Sequence, residues 1–126
     1  MKRVSSLGIW LCGLLSSLPP ASSQELVERG RYLVEHVAHC GDCHTRLTPE
    51  RKPDTANALK GAHGQLTTPD ITSAGALWKA WREEGFVRFL KTGVAPDGRP
   101  ARHPMPAYKL RPDDAGAIAG YLKTLK

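Results

Sequence analysis

Cys40-Gly41-Asp42-Cys43-His44 sets two thiols three residues apart and puts an imidazole directly after the second. On a helical turn, positions i and i+3 are neighbours, about 5–6 Å apart between Cβ atoms. Both sulfurs can then reach the two vinyl groups of one porphyrin and form thioethers. His44 can turn its ring beneath the same macrocycle and bind the iron from one side. C-x-x-C-H is a signature of covalent haem attachment, and a proximal histidine is a common haem ligand. The expected cofactor is one covalent haem c, bonded to Cys40 and Cys43 and ligated by His44.

Two other chemistries use the same residue types. A thioredoxin-like redox pair needs a βαβ setting, and no convincing strand run flanks this motif. A closed zinc site needs four ligands, usually as two separated pairs. Beyond Cys40 and Cys43 the only other cysteine is Cys12, and His63 and His103 do not form an H-x₃₋₅-H pair.

At 126 residues the chain is one domain at most. Met1-Lys2-Arg3 is a short positive start, Leu7 to Leu18 is apolar, and Pro19-Pro20 ends the run. Ala21-Ser22-Ser23 then offers small residues before Gln24, the pattern of an export signal cut between Ser23 and Gln24. The apolar run is shorter than the ~20 residues of a membrane span, and an uncleaved anchor is the alternative. This gives a signal peptide over 1–23 and a domain over 24–126, and Cys12 is read as leader filler. Removing Lys2 and Arg3 with the leader leaves 16 basic against 12 acidic side chains, a net of +4. That excess is too small to point to nucleic acid, and no basic stretch interleaves with aromatics. It can still steer encounter with an acidic protein. A mature chain this short and poor in aromatics builds a thin core. A covalently held haem would complete it, and without one the chain is expected to pack poorly.

The chain is expected to be all-α. From Glu25, Leu26, Val27, Gly30, Leu33, Val34 and Val37 recur at helical spacing. This predicts a helix running into Cys40, with the motif on its last turn, Glu25 and Glu28 at its start and Tyr32 packed beside Gly30. Residues 45–68 read as a loop with at most a helical turn near Ala56 to Leu59, and His63 within it reads as a surface residue. Thr68-Pro69-Asp70-Ile71-Thr72 is a turn around one apolar side chain. Ser73 to Lys91 reads as one helix, or as two joined near Glu84-Gly85, and Thr92-Gly93 stops it. Trp78 and Trp81 lie on different faces, against haem or core. Pro112-Asp113-Asp114 opens a last helix whose apolar face is Ala115, Ile118, Ala119, Leu122 and Leu125. Gly116 and Gly120 are expected to pack near Gly30.

Met105 is the only methionine besides Met1. Pro104 and Pro106 flank it and fix its neighbours' φ, so it is expected on a stiff, extended segment, unlike a core methionine. A thioether presented this way suits the second iron face, and Met/His ligation raises the reduction potential. His103 is the rival ligand.

Over nearly its whole mature length the chain resembles the class I c-type cytochromes. It is most similar to single modules of the multi-haem cytochrome subunits of membrane-bound alcohol and sugar dehydrogenases. The residues that carry the resemblance are Gly30-Arg31-Tyr32-Leu33, the motif, Thr68-Pro69-Asp70-Ile71-Thr72, the run from Phe86 to Arg99, and Met105 to Tyr108. Asp70 stands where those modules usually have Asn, and Lys79 to Gly85 replaces their usual acidic residues. One motif replaces their three. The resemblance implies the class I fold, with terminal helices packed around one haem and long loops wrapping it. It implies ligands at Cys40, Cys43, His44 and Met105, and attachment outside the cytoplasm, in the periplasm. The expected function is a one-electron carrier between redox proteins: a dehydrogenase, a terminal oxidase or another cytochrome. The alternatives are a dedicated subunit of a dehydrogenase complex, or a haem enzyme or sensor with a labile sixth ligand. No catalytic constellation for hydrolysis is present. Arg46, Arg99, Arg102, Lys109 and Arg111 are candidate docking residues around the haem edge.

Overall fold

The computed structural model describes residues 21–126, so the expected leader lies outside the described residues except for Ala21, Ser22 and Ser23. Its elements are α1 (Ser23–Tyr32), a π-helical turn (Leu33–Val37), α2 (Cys40–His44), a 3₁₀ turn (Thr55–Asn57), α3 (Ala76–Thr92) and α4 (Pro112–Thr124). The described residues form only isolated β-bridges and no strand. The all-α expectation therefore holds.

Ser22 starts α1 with a reciprocal capping box. Its hydroxyl accepts from the Glu25 N–H, and the Glu25 carboxylate accepts from the Ser22 N–H. The expected uninterrupted run into Cys40 is wrong. The Ala38 N–H donates five residues back to the Leu33 carbonyl, and His39 then takes a left-handed conformation at φ 50°, ψ 44°. Histidine is one of the few side chains that visit that region, and no glycine marks the break. The motif therefore sits on its own helical turn. The wider π turn also rotates the register. Val34 is buried while Val37 points to solvent. Tyr32, at 58% exposed, faces outward against the His36 ring and does not pack beside Gly30.

α1 crosses α4 at Gly30. A Cβ on Gly30 would lie 1.9 Å from the Ala117 carbonyl oxygen and 2.8 Å from the Tyr121 Cβ. The partners at the crossing are thus Ala117 and Tyr121. Gly116 and Gly120 turn away, with open space where their Cβ atoms would be. Arg29 braces the crossing by pairing with Asp114 in the first turn of α4. Ala115, Ala117, Ile118, Ala119 and Leu122 form the buried face of α4.

α3 is kinked at Arg82 (φ 56°, ψ −176°), three residues before the expected break at Gly85. Gly85 serves packing: a Cβ there would meet the Trp81 Cβ at 2.7 Å and Pro96 at 3.0 Å. Trp78 and Phe86 stack at 4.7 Å and Trp81 lies against Phe86 and Phe89, so both tryptophans join the core cluster. Gly93, at φ 72°, stops α3 where the sequence signalled an end.

Because backbone fills the space beside Gly30, Gly30→Ala should cost about 3 kcal/mol or more in denaturant unfolding. Gly116→Ala, with no atom in its way, should be neutral or gain up to about 1 kcal/mol. Equal effects of the two would contradict this helix crossing.

Candidate haem site

α2 is held from behind and below by the loop that follows it. The Thr45 N–H closes on the Gly41 carbonyl, the Gly61 N–H donates to the His44 carbonyl at 2.7 Å, and the Thr68 hydroxyl donates to the Cys43 carbonyl at 2.7 Å. The Leu59 N–H donates to the Thr45 hydroxyl at 3.0 Å. The first three bonds satisfy carbonyls that a five-residue helix leaves without partners, and the fourth ties Leu59 to the residue that follows the helix.

His44 is 7% exposed, and its Nδ1 lies 2.9 Å from the Pro69 carbonyl oxygen. A carbonyl only accepts, so Nδ1 carries the proton and donates. Nε2 is left with its lone pair. Burial pushes the imidazole below its ordinary pKa, against the smaller opposing pull of the Pro69 carbonyl. A neutral ring fixed in this tautomer is the form that ligates iron.

Pro69 is placed by two glycines. A Cβ on Gly61 would meet the Thr68 carbonyl oxygen at 2.6 Å and the Pro69 carbonyl carbon at 2.9 Å. A Cβ on Gly75 would meet the Asp70 carbonyl oxygen at 2.6 Å. The segment from Thr68 to Asp70 thus lies against backbone on two sides. Thr68 also pairs with Ala62 in an antiparallel bridge.

Cys40 is half-buried and Cys43 exposed, and neither is in a disulfide. Burial pushes the Cys40 thiol up to about 11, so without a thioether it stays protonated. Two thiols on one turn beside a neutral, oriented imidazole fit a covalently attached haem. Among the described residues no group of three or more His, Cys, Asp or Glu is gathered as a metal-ion site.

Met105 lies near His44, but its backbone is not extended as the flanking prolines implied. The His103–Pro104 bond is cis, and the Met105 N–H donates to the Arg102 carbonyl at 2.8 Å across a turn. That turn is anchored on both sides. Ala101 bonds to the Gly93 carbonyl, Ala107 packs on Gly93, Leu110 bonds to the Leu90 carbonyl, and the Tyr108 hydroxyl donates to the Ala38 carbonyl at 3.1 Å. Met105 is half-buried, whereas His103 and His63 are exposed.

All five candidate docking residues are exposed. Two of them are already paired, Arg46 with Asp54 and Arg99 with Asp97. Arg102, Lys109 and Arg111 have no carboxylate within ion-pair distance among the described residues. A cleft of about 380 Å³ opens behind α2, lined by Gly41, Asp42, Thr45, Glu35 and Tyr121 rather than by the thiols or His44. Spacing alone did not single out Thr45, Gly61, Thr68, Pro69 or Gly75 as supports of the site. Twenty-five residues separate His44 from its carbonyl partner, and only the Thr-Pro turn hinted at a fixed segment.

A family model described as cytochrome c matches residues 27–126. The chain is 38% identical to a "Diheme cytochrome c-type" protein of Cereibacter sphaeroides over 76% of its own length and 34% of that protein's. It is 33% identical to the fructose dehydrogenase cytochrome subunit of Gluconobacter japonicus, covering 96% of this chain and 27% of the relative. It is 31% identical to the gluconate 2-dehydrogenase cytochrome c subunit of Pantoea cypripedii, covering 94% of this chain and 30% of the relative. The chain thus spans about a third or less of the length of these relatives.

Tyr108→Phe removes only the hydroxyl that ties the Met105 turn to Ala38. It should lower unfolding stability by about 1 kcal/mol, and an unchanged denaturation midpoint would contradict that tie.

Proposed function

The chain belongs to the cytochrome c family, and we propose that it is a one-electron carrier whose one haem c is bonded to Cys40 and Cys43, with His44 and Met105 on the two iron faces. The observation that carries this is the His44 imidazole: buried, neutral, and bound through Nδ1 to Pro69 so that Nε2 remains for a metal. The anchored Met105 turn supports the second ligand. When bound, haem supplies reversible one-electron exchange at iron. His44 and Met105 are the residues that would hold its iron, and a thioether ligand would raise the potential. No side chain is asked to form or break a bond to substrate, so the chain acts as a non-catalytic redox protein.

Electrons would enter and leave by transient docking. Arg102 precedes Met105, and Lys109 and Arg111 follow it, so the free cations flank the Met105 turn. A surface of this kind favours acidic redox partners and makes association salt-sensitive. The export-signal pattern over 1–23, with the domain starting at Gln24, supports a periplasmic location for the mature protein. No described helix is long and apolar enough to cross a membrane. A second reading comes from the relatives named as subunits of fructose and gluconate dehydrogenases: a lasting place in such a complex. Co-elution with a stoichiometric partner on size exclusion separates it from the free carrier.

The deciding experiment is to mature the protein with haem and compare variants. The parent should keep one haem through denaturation and bind carbon monoxide slowly when reduced. Met105→Ala should keep its haem and bind carbon monoxide rapidly, and Cys40→Ser with Cys43→Ser should lose covalent retention. A parent that binds carbon monoxide as fast as Met105→Ala would refute Met105 ligation and favour a sensor or enzyme.

A further inference from the structure

We propose that the Asp70 carboxylate lowers the reduction potential of the iron held by His44, by fixing an unneutralised negative charge beside the carbonyl that orients the imidazole. This rests on His44 being an iron ligand, as proposed above.

Position is the first support. The Pro69 carbonyl accepts from His44 Nδ1 at 2.9 Å, and Asp70 is the next residue. Consecutive Cα atoms are about 3.8 Å apart, so the carboxylate lies within roughly a Debye length of the ring at ordinary ionic strength.

The side chain is also held. Asp70 Oδ1 accepts from the Thr72 N–H and from the Thr72 hydroxyl, both at 2.7 Å, and Thr72 is 1% exposed. Gly75 brings its own backbone against the same residue, where a Cβ would stand 2.9 Å from the Asp70 Cγ. The carboxylate is thus confined between Thr72 and Gly75.

The charge is uncompensated. Asp54, Asp97, Asp114, Glu28, Glu35 and Glu83 each have a basic partner. Asp70 has none within ion-pair distance among the described residues, and it is half-buried, where water screens it less. Its two donors are neutral and leave the full negative charge.

The consequence is electrostatic. In the couple, ferric iron takes one electron from a redox partner and becomes ferrous, with no proton moved and no bond changed at Asp70. Ferric iron carries one more positive charge, so a nearby anion favours it over the ferrous form. The Pro69 carbonyl transmits the same bias, because the carboxylate beside it strengthens its pull on the Nδ1 proton and makes Nε2 more electron-rich. A purely structural role for Asp70, as the acceptor that closes the turn onto Thr72, predicts no such effect.

Asp70→Asn separates the two roles, because an amide oxygen still accepts both Thr72 donors while the charge is gone. In the haem-loaded protein its midpoint potential should shift to more positive values, with the optical spectrum and the unfolding midpoint unchanged. The shift should shrink as salt is raised. Asp70→Glu, which restores the charge, should return the potential toward the parent. Should Asp70→Asn not fold, Asp70→Ser keeps a smaller acceptor and should shift the potential the same way. An unchanged or more negative potential with an intact spectrum overturns the proposal and leaves the ligand assignment standing. A parent spectrum lacking histidine ligation overturns both.

Discussion

The hydrogen bond from the His44 Nδ1–H to the Pro69 carbonyl fixes the motif's imidazole within the molecule. It selects the tautomer, sets the ring's direction and satisfies a buried donor that would otherwise go unpaired at a cost of about 1–3 kcal/mol. Much of the irregular chain from Thr45 to Thr72 serves to hold that carbonyl in place. Gly61 and Gly75 let backbone close on it, Thr68 binds it back to Cys43, and Asp70 caps the turn through Thr72. A long loop is costly to order unless it has such a task.

The helices provide the rigid frame. α1 and α4 meet where Gly30 admits the Ala117 backbone, so the two ends of the domain lock together. The core they enclose is small. Of its twelve buried apolar residues among those described, four are alanines, and the main aromatic mass is the Trp78, Trp81, Phe86 and Phe89 cluster on α3. Such a chain needs a further apolar body to reach ordinary stability. A covalent haem would supply it, so the cofactor that defines the chemistry would also finish the fold.

The parts legible in the sequence are those written in local patterns. The motif is contiguous, α4 announces itself with Pro112-Asp113-Asp114 and a regular apolar face, and Gly93 ends α3 where expected. The misses come from geometry that spacing does not encode. Nothing in the residues near 39 signals a π turn followed by a left-handed histidine. Gly85 looked like a helix break because a glycine's packing role and its breaking role are identical in sequence. Likewise Gly116 and Gly120 looked like the partners of Gly30, though the interface is made by an alanine's backbone. The support of His44 by Pro69 is a long-range pairing of a side chain with a carbonyl, and any residue type supplies a carbonyl.

If His44 and Met105 close both iron faces, as proposed, the haem is left with electron exchange. Near-infrared magnetic circular dichroism of the ferric haem-loaded protein tests it most directly, because the charge-transfer band of low-spin iron reports the ligand pair. A band characteristic of imidazole–thioether ligation is the predicted result. A high-spin spectrum, or a band of two nitrogen ligands pointing to His103, would contradict it.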